Sequence, residues 1–67
     1  MSEAAALVLA EITDAACDAD GLVRATGRST GEVAAALVEL ELAALVTEAE
    51  GLFRINPGTI RAARAPA

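Results

Sequence analysis

Residues 29–44, with the sequence STGEVAAALVELELAA, decide the fold of this chain. Ser29 and Glu32 have the spacing of a capping box, in which a hydroxyl and a carboxylate each satisfy a free backbone N–H group at a helix start. An apolar stripe follows at helical spacing and consists of Val33, Leu37, Leu40 and Ala44. The stretch therefore predicts a helix from Thr30 to about Ala43 that packs across other helices.

The beginning of the chain predicts a first helix. Ser2 has the chemistry of a helix N-cap and Glu3 follows it, so a helix is expected over about residues 3–16. Its core-facing residues recur at helical spacing and are Ala5, Val8, Leu9, Ile12 and Ala16. Leu7 lies on the same helix but away from that face. Cys17 is expected to be a small residue in the core or at its boundary.

A second, short helix is predicted between the other two. The segment from Asp18 to Gly21 has turn chemistry, and Asp20 is expected to cap a helix from about Gly21 to Thr26. Gly27 is expected to end it, because glycine readily adopts the left-handed backbone found at helix ends. This helix and the one that begins at Thr30 are joined by a turn of a few residues, so together they form a helix-turn-helix.

The hydrophobic period changes after the third helix. Residues 45–48 and 52–55 suit two short strands, which predicts a β-hairpin, or wing. The predicted fold is therefore a mainly α winged helix-turn-helix, with three helices and a wing, in a domain covering residues 1–56. Residues 57–67 form a C-terminal extension, for which we expect a short helix or a frayed tail.

Size and composition limit the chemistry of the domain. A chain of 67 residues allows one domain, and aromatic residues make up only 1% of it, so the core must be aliphatic and thin. Such a chain has little room for a catalytic cleft, and no enzymatic activity or small-molecule substrate is expected. Pairs of carboxylates such as Glu39 and Glu41 are interpreted as solvated charges rather than acid–base pairs.

The cysteine and histidine content and the length of the apolar runs limit the possible ligands and the location of the chain. The chain has no histidine, and Cys17 is its only cysteine, so we expect no intramolecular disulfide, no metal site and no cofactor. The apolar run at residues 4–10 is far shorter than a membrane span and lacks a basic flank. We therefore expect no membrane partner, no signal peptide and a cytoplasmic location.

Residues 26–54 resemble a bacterial winged helix. The sequence Glu-Leu-Glu-Leu at residues 39–42, together with Gly51, Phe53 and Arg54 in the wing, is similar to the C-terminal winged-helix domain of the DNA-processing protein A (DprA/Smf) family. This resemblance implies a small accessory domain attached to a Rossmann-like domain that binds single-stranded DNA and helps to load recombinase. In that family the winged helix is expected to assist DNA binding or self-association.

Two features depart from the family pattern. Ala44 stands where the family usually has glycine at the helix end, and residues 56–67 extend past the wing. The extension favours the alternative of a free-standing winged-helix protein, such as a small transcriptional regulator.

The charge of the chain bears on DNA as a partner. The chain has ten acidic and five basic residues, and its formal charge of −5 repels a phosphate backbone. Binding of single-stranded or duplex DNA therefore needs a local basic patch. The candidate DNA-contact residues lie at the start of the third helix, on the wing and in the C-terminal extension, and are Arg28, Thr30, Ala34, Arg54, Arg61 and Arg64.

The outward face of the third helix favours a different partner. A DNA reader of this fold needs polar or basic side chains there to reach base edges, and this helix has almost none. Small and apolar residues indicate a protein contact instead. The candidate protein-interface residues are Leu7, Gly31, Ala35, Val38 and Leu42. Two functional classes therefore stay open, a DNA-associated winged helix and a protein-interaction module that forms a homodimer or docks to another domain.

Overall fold

The computed structural model describes residues 1–58, which form three helices followed by a two-stranded antiparallel hairpin. The elements are α1 (Glu3–Asp14), α2 (Ala19–Thr26), α3 (Thr30–Leu42), β1 (Val46–Ala49) and β2 (Leu52–Ile55). This arrangement confirms the predicted winged helix-turn-helix. The predicted C-terminal extension, a short helix or a frayed tail, lies outside the described residues from residue 59 onward.

Side-chain caps fix where the helices begin. Ser2 caps α1 as predicted, and the Ser29–Glu32 capping box is complete at the start of α3. The predicted cap of α2 was wrong: Asp18, not Asp20, accepts the hydrogen bond, from the amide of Gly21 at 2.7 Å, and α2 starts two residues earlier than predicted. The absence of a side chain at Gly21 permits this contact, because a Cβ there would lie 2.8 Å from the Asp18 carboxylate.

Left-handed residues mark where α2 and α3 end. Gly27 closes α2 with φ 72°, as predicted. After α3 the chain turns at Ala44 with φ 59°, and the amide of Leu45 donates to the Leu40 carbonyl at 3.0 Å. This is a Schellman motif, in which the residue after the cap is usually glycine. Ala44 is therefore exposed beyond the helix end, and its predicted place on the core stripe was wrong.

One core joins all three helices to the first strand. Its buried side chains are Ala5, Val8, Ile12, Leu22, Val33, Ala36, Leu37, Leu40 and Val46. Most of the predicted apolar faces therefore lie inside, and Leu9 and Cys17 pack at the boundary. Ala16 is exposed instead, because α1 ends at Asp14 and the helical spacing no longer applies to it.

The wing is a tight hairpin joined to the helices. Glu50 and Gly51 connect the strands with φ values of 55° and 81°, the positive pair that a type I′ turn requires. β1 starts one residue later than predicted, because Leu45 completes the end of α3. The backbones of Cys17 and Phe53 exchange hydrogen bonds of 3.0 and 2.7 Å. This pair fixes β2 against the segment between α1 and α2.

Candidate interaction surfaces

The side of α3 that faces away from the core is small and apolar. We call Gly31, Ala35, Val38 and Leu42 the outer stripe; all four are exposed. Val38 is 55% exposed and Leu42 is 83% exposed. The structure thus brings together four of the five predicted interface residues on one helix face.

Leu7, the fifth predicted interface residue, lies on another helix. It is on the side of α1 opposite the buried Ala5, Val8 and Ile12, and it is 39% exposed. A single exposed leucine is ordinary on a soluble protein. The outer stripe is therefore the stronger of the two apolar features.

The charged side chains of α3 are all acidic, and two of them hold the helix ends in place. Hydrogen bonds from Ser29, its backbone amide first, lower the pKa of the Glu32 carboxyl, and Arg28 adds to the effect. The amide of Ser2 donates to Glu39 at 2.9 Å, and this bond lowers the pKa of that carboxyl. Both groups therefore remain ionised at neutral pH, and α3 carries negative charge beside the outer stripe.

Arg28, a predicted DNA contact, is engaged by two carboxylates. Its guanidinium lies 2.7 Å from Glu3 on α1 and 3.3 Å from Glu32 on α3. The arginine thus ties the turn before α3 to the start of α1. A phosphate would have to compete with both carboxylates for this side chain.

The other predicted DNA contacts belong to α3, β2 and the C-terminal extension. Thr30 and Ala34 are exposed on the first turns of α3. Arg54 is exposed on β2 and forms no ion pair within residues 1–58. Arg61 and Arg64 lie outside the described residues. Arg28 is thus paired with carboxylates, whereas Arg54 has no ion pair in the described part of the chain.

An apolar groove lies between α2, α3 and the wing, and the sequence analysis did not predict it. Its volume is about 270 Å³. The lining residues are Ala19, Asp20, Val23, Thr30, Val33, Ala34, Leu37, Val38, Glu41 and Phe53. We call this site the α2–α3 groove. No single stretch of sequence reveals it, because three separate elements supply the lining; the half-buried Phe53, the single aromatic residue of the chain, was the available signal.

Three further properties of residues 1–58 concern a reactive nucleophile, a metal site and a membrane-spanning helix. Burial, followed by the nearby Glu11, Asp18 and Asp14 carboxylates, raises the pKa of the Cys17 thiol, so it stays protonated and is a poor nucleophile. Within residues 1–58, His, Cys, Asp and Glu side chains form no cluster of three that could hold a metal ion. None of the helices described has the length and apolar character needed to cross a membrane.

Comparison with known proteins identifies the family. The model of the DprA winged helix domain matches residues 2–51, which is most of the chain and includes all three helices and β1. Comparisons with curated proteins and with solved structures gave no match. The family match overlaps the resemblance over residues 26–51 and extends it to α1 and α2. The chain therefore belongs to the DprA winged helix domain family.

Proposed function

We propose that this chain is a non-enzymatic accessory domain of a DprA-like DNA-processing protein, and that it acts there through protein contacts. The observation that carries the proposal is the outer stripe, an exposed apolar surface on the helix that a DNA-reading winged helix places in the major groove. The family match supports the DNA-processing context.

The chemistry of α3 argues against base reading by this helix. Base edges are recognised through hydrogen bonds from side chains such as arginine, asparagine and glutamine, and α3 contains none of these. Glu39 and Glu41 lie on the two flanks of the outer stripe and repel phosphate. Covering exposed apolar area with a protein surface, in contrast, lowers the free energy and so stabilises the contact.

The same charges favour docking to another domain over self-association. A symmetric dimer through the outer stripe would place Glu39 and Glu41 of one copy close to the same residues of the other. Like charges facing each other across an interface are costly. A homodimer is therefore the less favoured form of protein contact, with Leu7 as a further contact candidate in either form.

A second candidate function is weak contact with the DNA backbone. Arg54 favours it, because this exposed side chain on the wing is not paired with a carboxylate within residues 1–58. Thr30 and Ala34 could lie near the same phosphates, and Arg61 and Arg64 are candidates by sequence alone. Such contact would be sensitive to salt and independent of sequence.

A titration with DNA tests the choice between the two candidates. The isotope-labelled domain is titrated at low salt with short single-stranded and duplex DNA while each backbone amide is followed. We expect no amide of α3 to shift at DNA excess. Shifts clustered at Arg28, Thr30, Ala34 and Arg54 that vanish with added salt would overturn the proposal and establish direct DNA contact.

Sedimentation of the wild-type chain and of Val38→Glu tests the form of the contact. We expect a monomer mass for both at high concentration. A dimer that Val38→Glu dissociates would replace docking to another domain with self-association. Thr47→Glu is the matched control, because it adds the same charge at an exposed position on β1, and we expect it to leave the mass unchanged.

A further inference from the structure

We propose that the α2–α3 groove binds a basic, amphipathic segment of a partner protein, which inserts apolar side chains between α2 and α3 and places arginine or lysine at the rim. This inference rests on the proposed function, since it assumes a protein contact and then names its site and chemistry. The groove is a different surface from the outer stripe, although the two share Val38.

The lining of the groove selects for apolar side chains. Seven of its ten residues are apolar, and Val23, Leu37 and Phe53 represent the contributions of α2, α3 and β2. The volume of about 270 Å³ is below the range of roughly 300–1,000 Å³ that is typical of small-molecule pockets. The three polar residues of the groove, Asp20, Thr30 and Glu41, are outnumbered by the apolar ones. It therefore suits side chains presented by a peptide.

The charge at the rim selects for a basic partner. Asp20 contributes a carboxylate from α2 and Glu41 contributes one from α3, so each wall has one negative group. Neither forms an ion pair within residues 1–58. These carboxylates, in a chain with a formal charge of −5, attract arginine or lysine and repel both nucleic acid and an acidic segment.

The groove is formed before any partner binds. The two backbone hydrogen bonds between Cys17 and Phe53 hold the aromatic residue beside α2 and α3. Val33 and Leu37 are buried in the core and cannot move away without disrupting it. A preformed site loses less conformational entropy on binding than one that must first be ordered. Two helical walls that leave an apolar cleft match the way in which amphipathic helices dock into grooves.

The test uses a defined pair of peptides. One is a helical peptide of about 14 residues with leucines at positions i, i+4 and i+7 and arginines on both flanks, which is the anchor pattern of helix-in-groove binding. Its partner carries glutamate in place of every arginine. We expect the arginine peptide to shift the amides of Val23, Leu37 and Phe53 in the labelled domain, and the glutamate peptide to leave them unchanged.

Adjacent alanines provide matched variants for the two surfaces. Ala34 lines the groove and Ala35 belongs to the outer stripe, and both are exposed on α3. Glutamine is a good helix former, so Ala34→Gln and Ala35→Gln both preserve α3. We expect Ala34→Gln to weaken binding of the arginine peptide about tenfold or more by filling the groove, and Ala35→Gln to leave it within about twofold.

A second pair of variants tests the charges. The double variant Asp20→Asn, Glu41→Gln is expected to weaken binding of the arginine peptide roughly two- to tenfold, because two exposed ion pairs are lost. The control is Glu11→Gln, Asp14→Asn, which removes two charges from α1 outside the groove lining. It should leave the affinity within about twofold.

The outcomes separate this inference from the proposed function. Absence of binding, equal binding of both peptides, or an equal effect of Ala34→Gln and Ala35→Gln overturns the groove assignment. If the groove assignment fails and DNA also causes no amide shifts, the proposed function still stands, with the outer stripe as its site. If DNA instead shifts α3, the proposed function itself fails, whatever the peptides do.

Discussion

The carboxylate of Glu3 lies 2.7 Å from the guanidinium of Arg28, although 25 positions separate the two residues in the chain. The pair connects the first turn of α1 to the turn that precedes α3. It also sets the local charge, because Arg28, which precedes α3, is paired with two carboxylates. A structural role for Arg28 is thus visible, whereas DNA contact by this residue stays a prediction.

The first prediction concerns the strength of this ion pair. A double-mutant cycle with Glu3→Gln and Arg28→Met should give a coupling of about 0.2–1 kcal/mol in the free energy of unfolding, since Glu3 is mostly exposed and solvent screens the pair. The coupling should fall in about 1 M salt. Chemical unfolding of the four proteins at both salt concentrations measures it. A coupling that does not respond to salt would contradict this account.

The second prediction concerns the left-handed residue after α3. Ala44 has φ 59°, a conformation that costs a residue with a Cβ atom about 1–2 kcal/mol and that glycine adopts freely. Ala44→Gly should therefore raise the free energy of unfolding by about 1 kcal/mol. Ala43→Gly is the matched control, because Ala43 has φ −81° and glycine there should destabilise the domain by up to about 1 kcal/mol. Thermal unfolding followed by circular dichroism distinguishes the two signs.

The sequence predicted the features that depend on near neighbours. The Ser29–Glu32 capping box and the end of α2 at Gly27 each involve a few consecutive residues, and the structure confirms both. The prediction of the α2 cap was wrong although it also concerns near neighbours. Asp18 and Asp20 have the same chemistry, and only the backbone geometry decides between them.

Features that join distant parts of the chain escaped sequence reasoning. The Arg28–Glu3 pair and the Cys17–Phe53 backbone pair require the packing of α1 against its neighbours to be known. The α2–α3 groove depends on the same packing. The outer stripe was predictable, in contrast, because one helix supplies all of it and the core stripe on the opposite side fixes its orientation.

The third prediction separates the core of α3 from its outer stripe. Leu40 is fully buried, so Leu40→Ala should cost about 2–5 kcal/mol. A domain of this size has only roughly 3–5 kcal/mol of core stabilisation, and the variant should be largely unfolded. Leu42 is 83% exposed, and Leu42→Ala should change stability by less than about 0.5 kcal/mol. Equal losses in thermal unfolding would mean that Leu42 is buried in solution, for example in a dimer.

The fourth prediction concerns stability in acid. Folding lowers the pKa of the Glu32 and Glu39 carboxyls below the ordinary value of 4.5, so the folded state favours their ionised forms. The stability that they contribute is fully present above that pH and is lost as the pH falls through the lower, folded pKa values. The free energy of unfolding should therefore drop below about pH 4.5.

The double variant Glu32→Gln, Glu39→Gln tests this origin of the acid sensitivity. Glutamine keeps an oxygen that can accept the hydrogen bonds from the Ser29 and Ser2 amides, but it does not titrate. Urea unfolding between about pH 7 and pH 3 should show a shallower decline for the variant than for the wild type. Parallel curves for the two proteins would assign the acid sensitivity to other carboxylates.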